Sequence, residues 1–339
     1  MKEEKDEYGF DWPPNFDKDQ HWRYTHKRKL TDLQLVAEWD ALNGVYKRSE
    51  TLKKLVRKGI PRQYRVDVWL SISSAGKNMM ENKGLFNELA TRSSDKNTNS
   101  DIKDTSGECV LDIIKRDLSR TFPENPSFKE PVMLNNMQDI LAAFCLHRPD
   151  IGYCQGLNFI VGALLVATQR KDGELVPEEC FWLLVALVEI LPDYHSNKMT
   201  CLNNDCLVLN DLVRKTVPQT HANVTLFGLP LQMFVTKWFV CLFVDVLPFH
   251  TLLHVWDTLF YEGNKILFRV AVYQFILHKR ELKKLNDPSG LAMFFRDLFW
   301  DGKAWDNFEY MRKVFKKTKK MKRKYIEHKR MTRANETEV

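Results

Sequence analysis

Two side chains in this 339-residue chain combine types that could do chemistry together: Arg120 in Ile114-Lys115-Arg116-Asp117-Leu118-Ser119-Arg120, and Gln155 in Ile151-Gly152-Tyr153-Cys154-Gln155-Gly156-Leu157-Asn158. A guanidinium is a permanent cation whose donors form a planar fork. A carboxamide can accept from and donate to one water at once, which suits it to aligning a nucleophile. Charge neutralisation on phosphate oxygens and an oriented attacking water are what phosphoryl transfer requires. Either segment alone is a weak signal. An arbitrary D-x-x-R is ordinarily a surface ion pair, and a lone glutamine at a helix start ordinarily satisfies local backbone.

The surrounding pattern says what must hold them. Val110, Ile113, Ile114 and Leu118 share one face of a helix, on which Asp117 lies a turn before Arg120 and can orient it. Phe122-Pro123 then breaks the helix, leaving Arg120 at an edge from which it can project. Arg148-Pro149-Asp150 marks a loop before Gln155, and Gly152 and Gly156 on either side would let a partner's backbone approach closely. Beyond it come apolar segments at 157–167, 181–191, 207–213, 231–247 and 251–260, several longer than common strands. No period-two alternation with a hairpin turn and no long repeat is visible. The pattern predicts an all-α fold.

The N-terminal thirty residues read as an irregular arm whose aromatics dock on the domain. Thr31 or Asp32 is the expected N-cap of a first helix. Pro61 stands at the first turn of another, on which Arg65 and Trp69 lie four apart. Residues 91–107 are polar and aperiodic, the best internal linker in the chain.

The I-x-x-D-x-x-R segment followed by Y-x-Q-G-x-N resembles the paired fingers of TBC domains. So do Arg57-Lys58-Gly59-Ile60-Pro61, Arg65-x-x-x-Trp69, Trp238 to Pro248 and Leu253 to Gly263, and the resemblance runs from about Leu55 to His278. It implies a TBC-type helical domain, of two helical halves, that activates GTP hydrolysis on a Rab-family small GTPase. Arg120 would be an arginine finger stabilising charge on the transferring phosphoryl group, and Gln155 a glutamine finger standing in for the GTPase's own glutamine. Asp117 would position Arg120, while Tyr153, Gly156 and Asn158 shape the Gln155 loop. Arg65 and Trp69 are structural. The resemblance implies no cofactor of its own: GTP and magnesium belong to the GTP-bound Rab partner. The chain lacks a G-x-x-x-x-G-K-[ST] loop, so no intrinsic GTPase is expected. An activator of this kind lends residues, and calling it an enzyme is partly convention.

The expected layout is an arm and first helix over 1–50, the TBC domain over 51–285, and a C-terminal helical region with a basic tail over 286–339. The net charge of +7 hides an uneven distribution. Between Arg312 and Arg333 the chain holds twelve Lys or Arg and one Glu, leaving the remainder net negative. This tail could form a basic helix or stay solvated. Its functional version is weak contact with acidic lipids through residues 312–333; nucleic acid is not expected, because interleaved aromatics for base stacking are missing. A catalytically weak Rab-binding scaffold and an anionic-surface binder acting through the tail are the alternatives.

Seven cysteines form no C-x-x-C pair and suggest free thiols in a reducing compartment. His250 and His254 have metal-like spacing without the glutamate of H-E-x-x-H, and no metal is expected. Cys154 near His147 lacks the surroundings of a thiol nucleophile. No signal peptide, lipidation signal or membrane span is legible, so the expected location is cytoplasmic, transiently at membranes through the Rab partner.

Overall fold

A computed structural model describes residues 5–12, 33–94, 108–298 and 302–337, apart from 171, 197 and 245. Among these residues the fold is all-α, with an isolated bridge between Lys5 and Asp11. The expected cap at Thr31 or Asp32, and residues 95–107 of the expected linker, lie outside the described residues. Residues 91–94 do not belong to a linker: they finish the helix Leu85–Ser94, where Ser93 is buried. Two compact units form, 1–197 and 198–339.

The first unit is built around α5 (Leu157–Thr168), whose sequence LNFIVGALLVAT has no polar face. A helix that is apolar all round belongs in the interior, and every residue of it except Phe159 is buried. Each buried Leu or Val contributes roughly 1.5–3 kcal/mol. Four helices pack around it: α1 (Arg62–Ile72), α3 (Val110–Leu118), α4 (Pro131–His147) and α6 (Pro177–Ile190). A further helix, α2 (Leu85–Ser94), packs on α4. Both α4 and α6 begin on a proline, where the missing N–H costs no intrahelical bond.

The second unit opens with α7 (Thr200–Thr216). The apolar stretch 231–247 reads as one segment but splits into α8 (Gln232–Val240) and a turn in which Leu242 and Phe243 take left-handed φ angles of 51° and 67°. The Trp256 indole N–H donates to the Leu242 carbonyl at 3.0 Å, giving that buried turn carbonyl the partner it needs. Trp256 lies on α9 (Phe249–Glu262), which is buried along its whole length and packs on α10 (Lys265–Leu277). Its histidines are part of that interior: His254 lies 3.5 Å from Asn307 and edge-on to Phe308. No described helix is long and apolar enough to cross a membrane.

Of the two forms left open for the basic tail, the helical one is present. Residues 310–333 are neither detached nor uniformly solvated; they form α11 (Asn307–Lys317) and α12 (Arg323–Thr337), integral to the second unit. Tyr310, Met311, Val314, Met321 and Ile326 are buried. Arg330 makes a two-pronged pair with Asp205 at 2.6 Å per arm, and that carboxylate is 1% exposed. Asp211 receives Arg333 at 2.9 Å and Lys329 at 3.3 Å. Burial alone would raise the Asp211 carboxyl, yet these cations hold it below the usual range.

Three of the twelve cations are therefore tied to buried carboxylates. Arg330→Ala should cost about 3–5 kcal/mol, the loss expected when one partner of a buried pair is removed, and urea unfolding measures it. Stopping the chain after Asn307 should leave Asp205 and Asp211 without these cations and abolish cooperative unfolding of the second unit. A truncated chain melting like the full one would show that the tail is dispensable.

Candidate functional site

Helix α3 buries Val110, Leu111, Ile114 and Leu118, and with them Asp117, whose side chain is only 4% exposed. One carboxylate oxygen of Asp117 accepts from Arg120 Nη2 at 2.6 Å and the other from the Tyr153 hydroxyl at 2.7 Å. A buried carboxylate needs such donors, and charge-assisted bonds are the strong ones. The Tyr153 phenol is pushed far above its ordinary value, first by burial and then by Asp117, so it stays a neutral donor. Arg120 closes the helix end (its N–H bonds to Asp117 O at 3.2 Å), yet its side chain is 58% exposed. Among the described residues only one edge of the guanidinium is tethered, through Nη2.

Gln155 sits between two ties to that same segment. Two residues before it, Tyr153 reaches Asp117. Three residues after it, Asn158 Nδ2 donates to Thr121 Oγ1 at 2.8 Å, and Thr121 Oγ1 donates to Asp117 O at 2.8 Å. The Asn158 Oδ1 accepts from Gly156 N at 3.0 Å. Gly156 precedes α5 with a φ of 115°, which a side chain would strain. Gln155 is exposed and makes no side-chain hydrogen bond among the described residues. The arrangement is thus a buried polar braid, Asp117–Tyr153 on one side and Thr121–Asn158 on the other, with a guanidinium and a carboxamide left outside it.

Comparison with known proteins identifies the braid's setting. A family model described as the Rab-GTPase-TBC domain matches residues 62–283, most of the chain. The chain belongs to that family. It is 35% identical to human growth hormone-regulated TBC protein 1 over 316 residues, spanning 91% of this chain and 89% of that one. It is 30% identical to the GTPase-activating protein GYP3 of Saccharomyces cerevisiae, covering 83% of this chain and 51% of that one. The solved Chlamydomonas flagellar RabGAP TBC domain superposes with a TM-score of 0.76 at 25% identity, over 92% of this chain and 98% of that one. The Gyp1p Ypt/Rab-GAP domain, at 17% identity and TM-score 0.67, shares the fold.

Within this TBC domain, the six residues read from the sequence as a constellation fall on one segment pair. Arg65 and Trp69 are elsewhere in the same unit and are structural. The Arg65 guanidinium is buried, donates to Ile60 O at 2.6 Å and to the Tyr8 hydroxyl at 3.2 Å, and lies over the Trp69 ring. Cys154 is buried and its thiol is pushed up to about 11, far from a reactive thiolate. His147 instead stands edge-on to Phe181 and Trp182 at 5.5 Å. Sequence reasoning missed Thr121, which links the two segments. Its only signal is a hydroxyl four residues after Asp117 at a helix end, where such side chains bond back to carbonyls.

Proposed function

We propose that this TBC domain accelerates GTP hydrolysis on a GTP-bound Rab-family GTPase by supplying Arg120 and Gln155 in trans. The observation that carries the reading is the braid: Asp117, Tyr153, Thr121 and Asn158 are buried or half-buried and mutually bonded, while Arg120 and Gln155 are exposed. Buried polar networks rigidify what they hold when every member is satisfied. Holding two exposed reactive groups in a fixed relation has value when they must meet a third body in one geometry.

In this mechanism Arg120 enters the GTPase's nucleotide site and stabilises negative charge on the transferring phosphoryl group. Asp117 keeps the guanidinium plane oriented without covering it. Gln155 accepts from and donates to the hydrolytic water. GTP and magnesium arrive with the GTPase, so the chain contributes positioning and electrostatics alone. The name of the yeast relative, a GTPase-activating protein, supports an activating role over a scaffold, and we place the chain's work at the cytoplasmic face of Rab-bearing membranes.

A second contact accompanies this reading. Lys316, Lys317, Lys319, Lys320, Lys322 and Lys324 are exposed around the turn joining α11 to α12, without a carboxylate in ion-pair range among the described residues. We infer that they favour acidic lipid, each worth about 1 kcal/mol near an anionic surface. One experiment covers both: GTP hydrolysis on a panel of Rabs, free and tethered to acidic liposomes. Acceleration of at least one free Rab is expected, with a further salt-sensitive gain on liposomes. Binding without acceleration anywhere on the panel would leave a scaffold.

A further inference from the structure

The N-terminal residues 5–11 form a compact turn. Asp6 Oδ1 accepts from the N–H groups of Tyr8 and Phe10 at 2.9 Å each, and Asp6 N donates to Phe10 O at 2.7 Å. Lys5 pairs with Asp11. A turn so closed on itself is a preformed plug, and two of its attachments stand out. One is α1, where the Tyr8 hydroxyl meets Arg65 and its ring lies under Arg62 at 5.1 Å. The other is the segment directly after Arg120.

At that second place the bonds are specific. Asn125, 1% exposed, donates from Nδ2 to Tyr8 O at 2.9 Å and accepts at Oδ1 from Ser127 N at 3.1 Å. Lys5 Nζ donates to Glu124 O at 2.8 Å. The Phe10 ring stands edge-on to Phe122 at 5.2 Å, joining Phe128 and Phe159 around it. Gly9 has a φ of 84°, and a Cβ there would lie 2.7 Å from Asn125 Oδ1. Phe122 itself takes a φ of 47°, a left-handed conformation that a bulky residue holds only when its surroundings over-determine it. That residue reverses the chain two positions after Arg120.

We propose that the 5–11 turn is a positioning element for the arginine loop: by clamping Phe122, Glu124 and Asn125 it keeps the helix end that presents Arg120 in its productive geometry. The proposal rests on Arg120 acting as the finger. None of the turn's residues touches the GTPase in this account; they act through residues 122–125. Docking of the turn is then a requirement for turnover and not for Rab capture.

The test compares the full chain with a chain lacking residues 1–11 and with Gly9→Val, which keeps every other side chain but cannot seat the turn against Asn125. Hydrogen exchange is read over residues 119–130 and over α4 to α6. GTP hydrolysis on a responsive Rab is read against activator concentration. Both variants should speed exchange in 119–130 while α4 to α6 stay protected. The kcat should fall by about 10²-fold, the scale of loss for a catalytic group displaced by about 1 Å, with KM unchanged. Tyr8→Phe, which removes the hydroxyl bond to Arg65 on the other side and keeps the ring and backbone contacts, should keep full rate. Unchanged exchange in 119–130, unchanged kcat, or loss of protection throughout the unit in both variants would each overturn the proposal. Arg120→Ala measured alongside separates two failures. A full rate there overturns the finger reading, whereas a slow Arg120→Ala beside a fully active shortened chain overturns the role of the turn alone.

Discussion

Arg120→Ala should lower single-turnover GTP hydrolysis on a responsive Rab by about 10³–10⁵, the range for arginine fingers, without preventing Rab binding. The side chain is more than half exposed and makes no core contact, so its loss leaves the packing of α3 intact. Asp117 keeps the Tyr153 hydroxyl as a donor after the change. The Oδ1 that faced Arg120 loses its donor, so some loss of stability is expected; retained Rab binding at a temperature where both proteins are folded separates the catalytic defect from a folding one. Arg120→Lys should rescue poorly. An ammonium retains the charge but lacks the fork that lets one edge bind Asp117 while another reaches the phosphoryl oxygens. A near-wild-type rate for either variant would remove Arg120 from the mechanism.

The second large effect concerns Gln155 and its counterpart in the partner. Gln155 is exposed, so Gln155→Ala should stay within about 0.5 kcal/mol of the parent in stability, as surface changes do. Its rate on a responsive Rab should nevertheless fall by about 10²–10³, the usual loss when one aimed transition-state hydrogen bond is deleted. The decisive combination uses a Rab whose own switch glutamine is replaced by leucine. That Rab should still respond to the unmodified chain and should not respond to Gln155→Ala. If it ignores the unmodified chain, the water is oriented by the GTPase and only the arginine is lent.

Both predictions take their residues from the sequence, their exposure from the structure and their magnitudes from what such groups contribute to phosphoryl transfer and transition-state stabilisation. Helix α3 and the break after Arg120 are legible locally, because a 3.6-residue apolar period and a Phe-Pro pair act over a few positions. The same holds for α5, whose unbroken apolar run leaves no solvent face to assign. The split of 231–247 into a helix and a left-handed turn is not legible. Leu242 and Phe243 carry no turn chemistry, and their conformation is held by packing and by an indole from a helix that follows.

The tail shows the same limit from the charge side. A run of twelve cations in 312–333 leaves a basic helix and a solvated extension both open, since the partners that neutralise some of them are over a hundred positions away. The residues that bury the tail, Tyr310, Met311, Val314, Met321 and Ile326, are scattered among those cations, and counting charge passes over them.

The sequence by itself determined that the chain is helical, that it carries an arginine and a glutamine in TBC-like settings, and that Asp117 lies one turn from Arg120. These are properties of residue type and short spacing, where the chain has few conformations to choose among. Only the tertiary structure decided that Tyr153 and Arg120 share one buried carboxylate, and that Thr121 ties Asn158 to the same helix end. The docking of the Asp6–Phe10 turn beneath that end belongs with them. Each of these bonds joins residues 36 to 117 positions apart, except the Arg120–Asp117 pair itself. Such contacts form because a buried donor or acceptor left without a partner is costly, and the partner that satisfies it is selected by how the helices pack rather than by its neighbours in the chain.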